Sequence, residues 1–288
     1  MALADVLLEL AFVVAAMLVT ATLVIVGPRR IVAAARGFRW RLETCLLPFA
    51  ALVVVLLLRW STQDIVRRLE RRVLQNNITP QLFAFDQALF EPVTILQSFQ
   101  TEALTSFFVF VYIYGYAFLL IFPFIAYFAL EEMDELSTLV LAFTANYAIG
   151  LIFYTLFIAF GPRNVDPMAF EGLLYDAFPQ SGALTHEVNQ NTNVFPSLHT
   201  SLSMTVFFLA WVTRTKYPVW VPVSGVLAVS VALSTMYLGI HWFSDVIAGT
   251  LLAIVSVYIG VNYTVEGIVA GVREVVASRL GPPSADGE

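Results

Sequence analysis

LTSFFVFVYIYGYAFLLIFPFIAYFAL, residues 104–130, runs without one charged side chain. A helix needs about 20 mostly apolar residues to cross a bilayer, so this stretch predicts a membrane span. Five more segments read the same way: Leu3–Val26, Leu136–Phe160, Leu198–Val212, Val219–Leu238 and Phe243–Tyr263. Cys45–Leu58 is a shorter seventh, which Arg59 and Trp60 would lengthen by snorkelling at the interface. The expected fold is all-α, a polytopic transmembrane bundle of six to seven spans.

Composition agrees. Of the 288 residues, 59% are hydrophobic and 12% charged, and mean hydropathy is +0.81. A soluble domain is about 25% charged, so this chain cannot cover a water-facing surface. Leu3–Val26 lacks a cationic lead and a closely following small-residue cleavage site, which predicts a retained span rather than a cleaved leader. The lone Cys45 forms no internal disulfide and reads as a buried small hydrophobe. Net charge is −6, and no dense basic face mixed with aromatics points to nucleic acid. The expected partners are the bilayer and a lipid; oligomeric state is not legible.

Two stretches do not span. Between Ser61 and Thr101, apolar residues 65, 66, 69, 73 and 74 fall on one helical face, predicting an amphipathic surface helix over Asp64–Leu74. Phe83–Phe99 is expected in the same plane. The acidic loop Gly161–Pro196 is the other. If that loop faces outward, Arg29, Arg30, Arg36, Arg39, Arg41, Arg214, Lys216, Arg273 and Arg279 fall inside. Arg59, Arg67, Arg68, Arg71, Arg72 and Arg163 fall outside. The positive-inside rule is then partly met, and a cell-membrane protein with its site on the extracytoplasmic face is expected. The organisation reads as residues 1–103, N-terminal spans and surface helix; 104–264, the core; and 265–288, a polar tail.

Ionisable groups in spans are costly and mark function. His199 opens one span; the chain turns near Tyr217-Pro218, returns, and delivers His241 to the same membrane face. Arg163 ends another span there. His241 and Asp245 are spaced i, i+4 and share a helical face. The carboxylate can hold one imidazole nitrogen and leave the other as a directed nucleophile. His199 can then protonate a leaving oxygen. Ser197, with the free N–H groups opening its helix, and the fork of Arg163 can bind phosphate oxygens. Two other readings compete. His241 and Asp245 can be a mutually satisfied structural pair, or with His199 a two-histidine, one-carboxylate metal set, for which no further ligand is evident. His186 reads as a solvated loop histidine.

Phe195-Pro196-Ser197-Leu198-His199 resembles the P-S-G-H motif of the type 2 phosphatidic acid phosphatase superfamily. Tyr237-Leu238-Gly239-Ile240-His241-Trp242-Phe243-Ser244-Asp245-Val246-Ile247-Ala248-Gly249 resembles its S-R-x5-H-x3-D motif with the V-x-A-G continuation. The resemblance covers Leu104 to Tyr263. It implies His241 as nucleophile through a phosphohistidine, Asp245 as its orienting partner, and His199 as acid, with neither metal nor cofactor. It assigns phosphate binding to Arg163, Ser197, Ser234 and Thr235. Leu156 and Asn164 stand where the first motif, K-x6-R-P, has lysine and proline. Thr235 stands where the third has arginine, and Leu198 where the second has glycine. In these departures the chain resembles the inositol phosphorylceramide synthase-like branch. The implied function is a lipid phosphatase acting on a lipid phosphate or diphosphate. The alternative is a phosphotransferase moving a phospho-headgroup, such as phosphoinositol, from a phospholipid to a lipid alcohol. A non-catalytic transporter or scaffold is the remaining alternative. Phe107, Phe108, Phe110 and Tyr112 are candidates to line a lipid entrance.

Overall fold

A computed structural model of the chain describes residues 3–69, 76–178 and 193–280. His186, Arg71, Arg72 and the acidic tail lie outside the described residues, as do the side chains of Arg67 and Arg68. The described residues are helical, with two isolated parallel bridges and no strand. Five helices are long and apolar enough to cross a membrane, six if one bent pair counts as a span.

Helix α1 (Leu3–Ala21) continues through a π turn, Thr22–Val26. Short helices α2 (Pro28–Arg36) and α3 (Phe38–Thr44) follow. Helix α3 meets α4 (Leu46–Leu69) at a 59° bend, and the pair passes as one span. No Pro or Gly interrupts α4 beyond Leu58, so the helix runs on through Arg59 to Leu69. The first residues assigned to a separate surface helix therefore extend this helix, and residues 70–75 lie outside the described residues. Helices α5 (Thr79–Leu89) and α6 (Pro92–Ser98) are short, each begun by a proline in its first turn.

Helix α7 (Glu102–Phe110), a π turn (Val111–Gly115) and α8 (Tyr116–Phe128) form one continuous span. It opens on Thr101, whose hydroxyl accepts the Leu104 N–H at 3.2 Å. Helix α9 (Asp134–Leu156) starts on two acids, suited to the positive end of the helix dipole. It stops four residues short of the predicted Phe160. From Phe157 the chain is extended, because Ile158 exchanges hydrogen bonds with Asn76 and Ile78 at 3.0 Å, and Ala159 accepts from Val194 at 3.3 Å. These cross-links satisfy main-chain groups that would otherwise be stranded at the end of the helix.

After α10 (Pro162–Val165) and α11 (Leu173–Ala177) come α12 (Leu198–Val212), α13 (Trp220–Tyr237) and α14 (Phe243–Asn262), then an exposed α15 (Val265–Leu280). Helix α12 has 15 residues, short for a crossing. It packs against α8, α9, α13 and α14, so protein surrounds much of it. Its small polar residues suit that position: Ser201 donates to Asn146 at 2.8 Å, and Asn146 donates to Thr205 at 3.2 Å. Such bonds join helices where water is absent.

The ends of the bundle differ. At one end Arg41 is buried and donates to the carbonyls of Phe128 and Leu130, closing α8. Lys216 pairs there with Glu135 at 3.0 Å. The other end gathers residues 157–163, 193–199 and 238–245, with the Arg59 turn of α4.

Candidate active site

The five residues between α13 and α14 present His241. Gly239 makes the turn with φ of +70°, a conformation that favours glycine. A side chain there would collide with the Glu171 carbonyl. The Thr235 carbonyl then accepts both the Ile240 and His241 N–H groups at 3.0 Å. The indole N–H of Trp242 donates to the Phe160 carbonyl at 2.8 Å, tying the turn to the extended segment that follows α9.

Asp245 lies in the first turn of α14. Its Oδ2 accepts the Trp242 N–H at 2.9 Å and faces His241 Nδ1 at 3.3 Å. His241 is 1% exposed and Asp245 fully buried. With Nδ1 donating to the carboxylate, Nε2 carries the lone pair. Nε2 has no well-formed hydrogen bond among the described residues, and the Val194 main chain lies alongside. Burial, with the Arg163 charge adding to it, lowers the His241 pKa to about 3. The ring is therefore neutral at pH 7.

His199 stands in the first turn of α12. Its ring centroid is 6.2 Å from that of His241. Tyr112, in the π turn, stacks on it at 4.6 Å, and Tyr116 lies at 4.6 Å on a tilted plane. A π turn lets one residue of a helix lean out of register, a distortion common at functional sites. Ser197 caps α12, its hydroxyl accepting the Thr200 N–H at 3.3 Å. Its own N–H donates to the Asp245 carbonyl at 3.1 Å. A side chain on Gly249 would strike the Ser197 carbonyl, so glycine lets α14 approach this closely. The Tyr154 hydroxyl donates to the Pro196 carbonyl at 3.1 Å.

Arg163 lies on α10, its N–H on the Gly239 carbonyl at 3.2 Å. Its guanidinium donates to the Tyr175 hydroxyl at 2.9 Å and lies 4.4 Å from that ring's centroid. The structure thus brings His199, His241, Asp245 and Ser197 together, with Arg163 near enough for its charge to act on His241. Ser234 and Thr235 are placed differently. Both are fully buried, and each hydroxyl donates at 2.7 Å into its own helix, to Val231 and Ala232. What Thr235 brings to the site is its carbonyl. Among the described residues no group of three or more His, Cys, Asp or Glu side chains is arranged to hold a metal ion.

Two further contributors were not read from the sequence. Asp86 on α5 is buried, and its two oxygens accept the N–H groups of Phe243 at 2.7 Å and Ser244 at 3.1 Å. Burial raises its pKa against the pull of those two bonds. Gln97 on α6 donates to the carbonyls of Tyr237 at 3.0 Å and Glu171 at 2.9 Å. The sequence signal for Asp86 is one acid in the otherwise uncharged run Thr79–Phe90; Gln97 carries none. Phe83, Phe170 and Trp242 pack edge to face beside Asp86. With it they line a cavity of about 380 Å³.

A family model described as the PAP2 superfamily matches residues 80–259. No curated protein and no solved structure matches the chain.

Proposed function

In a chain that belongs to the PAP2 superfamily, we propose that the paired histidines hydrolyse a lipid phosphate or diphosphate through a phosphohistidine on His241. Membership and the membrane-spanning helices support a membrane phosphatase-type activity. The single observation that carries the finer reading is the 6.2 Å between the two imidazoles, one of them backed by Asp245 at 3.3 Å. With ring centroids this close, both imidazoles lie within reach of a single phosphoryl group, one to attack phosphorus and the other to serve its leaving oxygen.

His241 Nε2 attacks phosphorus, the bond from phosphorus to the leaving oxygen breaks, and His199 gives that oxygen a proton. The substrate's negative charge favours the imidazolium at His199 beforehand. Asp245 holds the Nδ1 proton and balances the charge that grows on the His241 ring. In the second step His199 takes a proton from water. The water oxygen bonds to phosphorus, the N–P bond breaks, and phosphate leaves with His241 neutral again. Ser197 and the opening turn of α12 favour the phosphate oxygens, and Arg163 adds positive charge. Arg41 and Lys216, both counted inside, lie at the end of the bundle opposite the site, which supports an extracytoplasmic active site. Transfer to a lipid alcohol is the second reading. It is favoured by the 1% exposure of His241, since a site with little water lets another hydroxyl resolve the intermediate.

The purified protein in detergent should release inorganic phosphate from a lipid phosphate or diphosphate, and His241→Ala should abolish that release while the protein folds normally. Full activity in His241→Ala would overturn the mechanism. Movement of a labelled headgroup to a lipid alcohol without phosphate release would decide for transfer.

A further inference from the structure

Resting on the phosphatase reading, we propose that Arg59 is a second phosphate-binding cation of this site, placed on the His199 side, and that the preferred substrate is a lipid diphosphate whose leaving group is itself anionic.

Arg59 lies in the last part of the α3–α4 span, two residues before Ser61, where that span ends. The sequence predicts that it lengthens the span by snorkelling at the interface. Its neighbour Trp60 is exposed, but the Arg59 guanidinium turns into the bundle. Its central carbon lies 5.5 Å from the Tyr154 ring centroid and 5.7 Å from that of Tyr147, both on α9. Tyr154 is the residue whose hydroxyl holds the Pro196 carbonyl, three positions before His199. The positive charge bears on Tyr116 and on His199 itself. A cation held at the end of a span among aromatic rings is costly, and by default such a group serves function. Tyrosine faces hold a guanidinium in place, and the planar fork of an arginine matches the geometry of phosphate oxygens.

The two arginines divide the site. The Arg163 charge acts on His241, the side on which phosphorus is attacked. The Arg59 charge acts on His199, the side from which the leaving group departs. A lipid alcohol leaves neutral once His199 has protonated it and has no use for a cation there. A lipid monophosphate leaves as an anion, and a guanidinium beside it stabilises the charge as the P–O bond breaks. In balance, His241 Nε2 bonds to the terminal phosphorus and the bridging P–O bond breaks. The lipid monophosphate departs with the proton from His199, and water then releases inorganic phosphate.

The test uses full-length protein in detergent, with a lipid diphosphate and a lipid monophosphate of the same chain. Arg59→Gln should lower kcat/KM on the diphosphate by about 10²-fold, with a clearly smaller loss on the monophosphate; Arg59→Lys should recover part of the diphosphate rate. Inorganic diphosphate should raise the thermal unfolding temperature of the wild type, and Arg59→Gln should lose that shift. Equal losses on both lipids, unchanged kinetics, or a retained diphosphate shift would overturn the proposal. If Arg59→Gln does not fold, Arg59→Lys decides by whether its loss is larger on the diphosphate. If the wild type releases phosphate from neither lipid, the phosphatase reading falls, and the inorganic diphosphate shift still decides whether Arg59 binds phosphate.

Discussion

Asp86 Oδ2 accepts the main-chain N–H of Phe243 at 2.7 Å from 157 positions away in the chain. With Oδ1 on Ser244, one carboxylate of α5 caps the helix that carries Asp245. A negative charge there suits the positive end of the helix dipole. Removing it strands two partly buried donors. Asp86→Ala should destabilise the protein by about 1–3 kcal/mol, and loosened placement of Asp245 should lower activity further. Thermal unfolding in detergent and phosphate release, measured on the same preparation, check both.

Asp245→Asn keeps the shape but lets the amide donate where a carboxylate accepted, favouring the wrong tautomer of His241. We expect phosphate release to fall on the order of 10³–10⁴-fold with folding retained. Steady-state rates beside an unfolding curve test this, and a mild loss of rate would show that Asp245 does not orient the nucleophile.

His199 is assigned a proton, so its importance should depend on the leaving group. His199→Ala should slow release from a lipid phosphate about 10²–10⁴-fold. A p-nitrophenyl phosphate ester, whose leaving oxygen needs no proton, should be spared much of that loss. Equal losses on both would assign His199 to binding rather than to acid catalysis.

His241 has a folded-state pKa of about 3, below the ordinary value of about 6.5. Between these values the unfolded chain takes up a proton that the folded protein refuses. The contribution of this group to stability is therefore fully present above about pH 6.5 and declines as pH falls toward 3. Unfolding temperatures in detergent from pH 7 to pH 4 should fall, and His241→Gln should flatten part of that slope. An equal slope in the variant would place the pH dependence elsewhere.

Gly249 lies against the Ser197 carbonyl. Gly249→Ala forces α14 from the start of α12 and should cost about 1–3 kcal/mol, with loss of activity because His199 and Asp245 ride on those two helices. Unfolding and phosphate release measure the two effects. Wild-type behaviour in both would mean that the helices separate without consequence.

The spans were legible because uninterrupted apolar runs such as 104–130 admit few other readings. The approach of His199 to His241 was legible from one hairpin of known sense. What was not legible depends on contacts between distant segments. Asp86 is one acid in a short helix until its partners are known, and nothing local distinguishes Arg59 turned inward from Arg59 turned outward. Ser234 and Thr235 were read as phosphate ligands by motif position. Their hydroxyls instead return to their own helix, an option always open to these side chains within helices. Helix α9 ended early because Ile158 found partners at 76 and 78, a pairing with no signature in either segment.

The Ser197 N–H on the Asp245 carbonyl joins, through main chain alone, the two segments that bear the imidazoles. Tyr112 and Tyr116, which cover the His199 ring from the π-turned span, take no part in that clasp. The gap between the imidazoles is thus tethered by backbone on one side and roofed by side chains on the other, so a guest that displaced the roof would leave the tether in place.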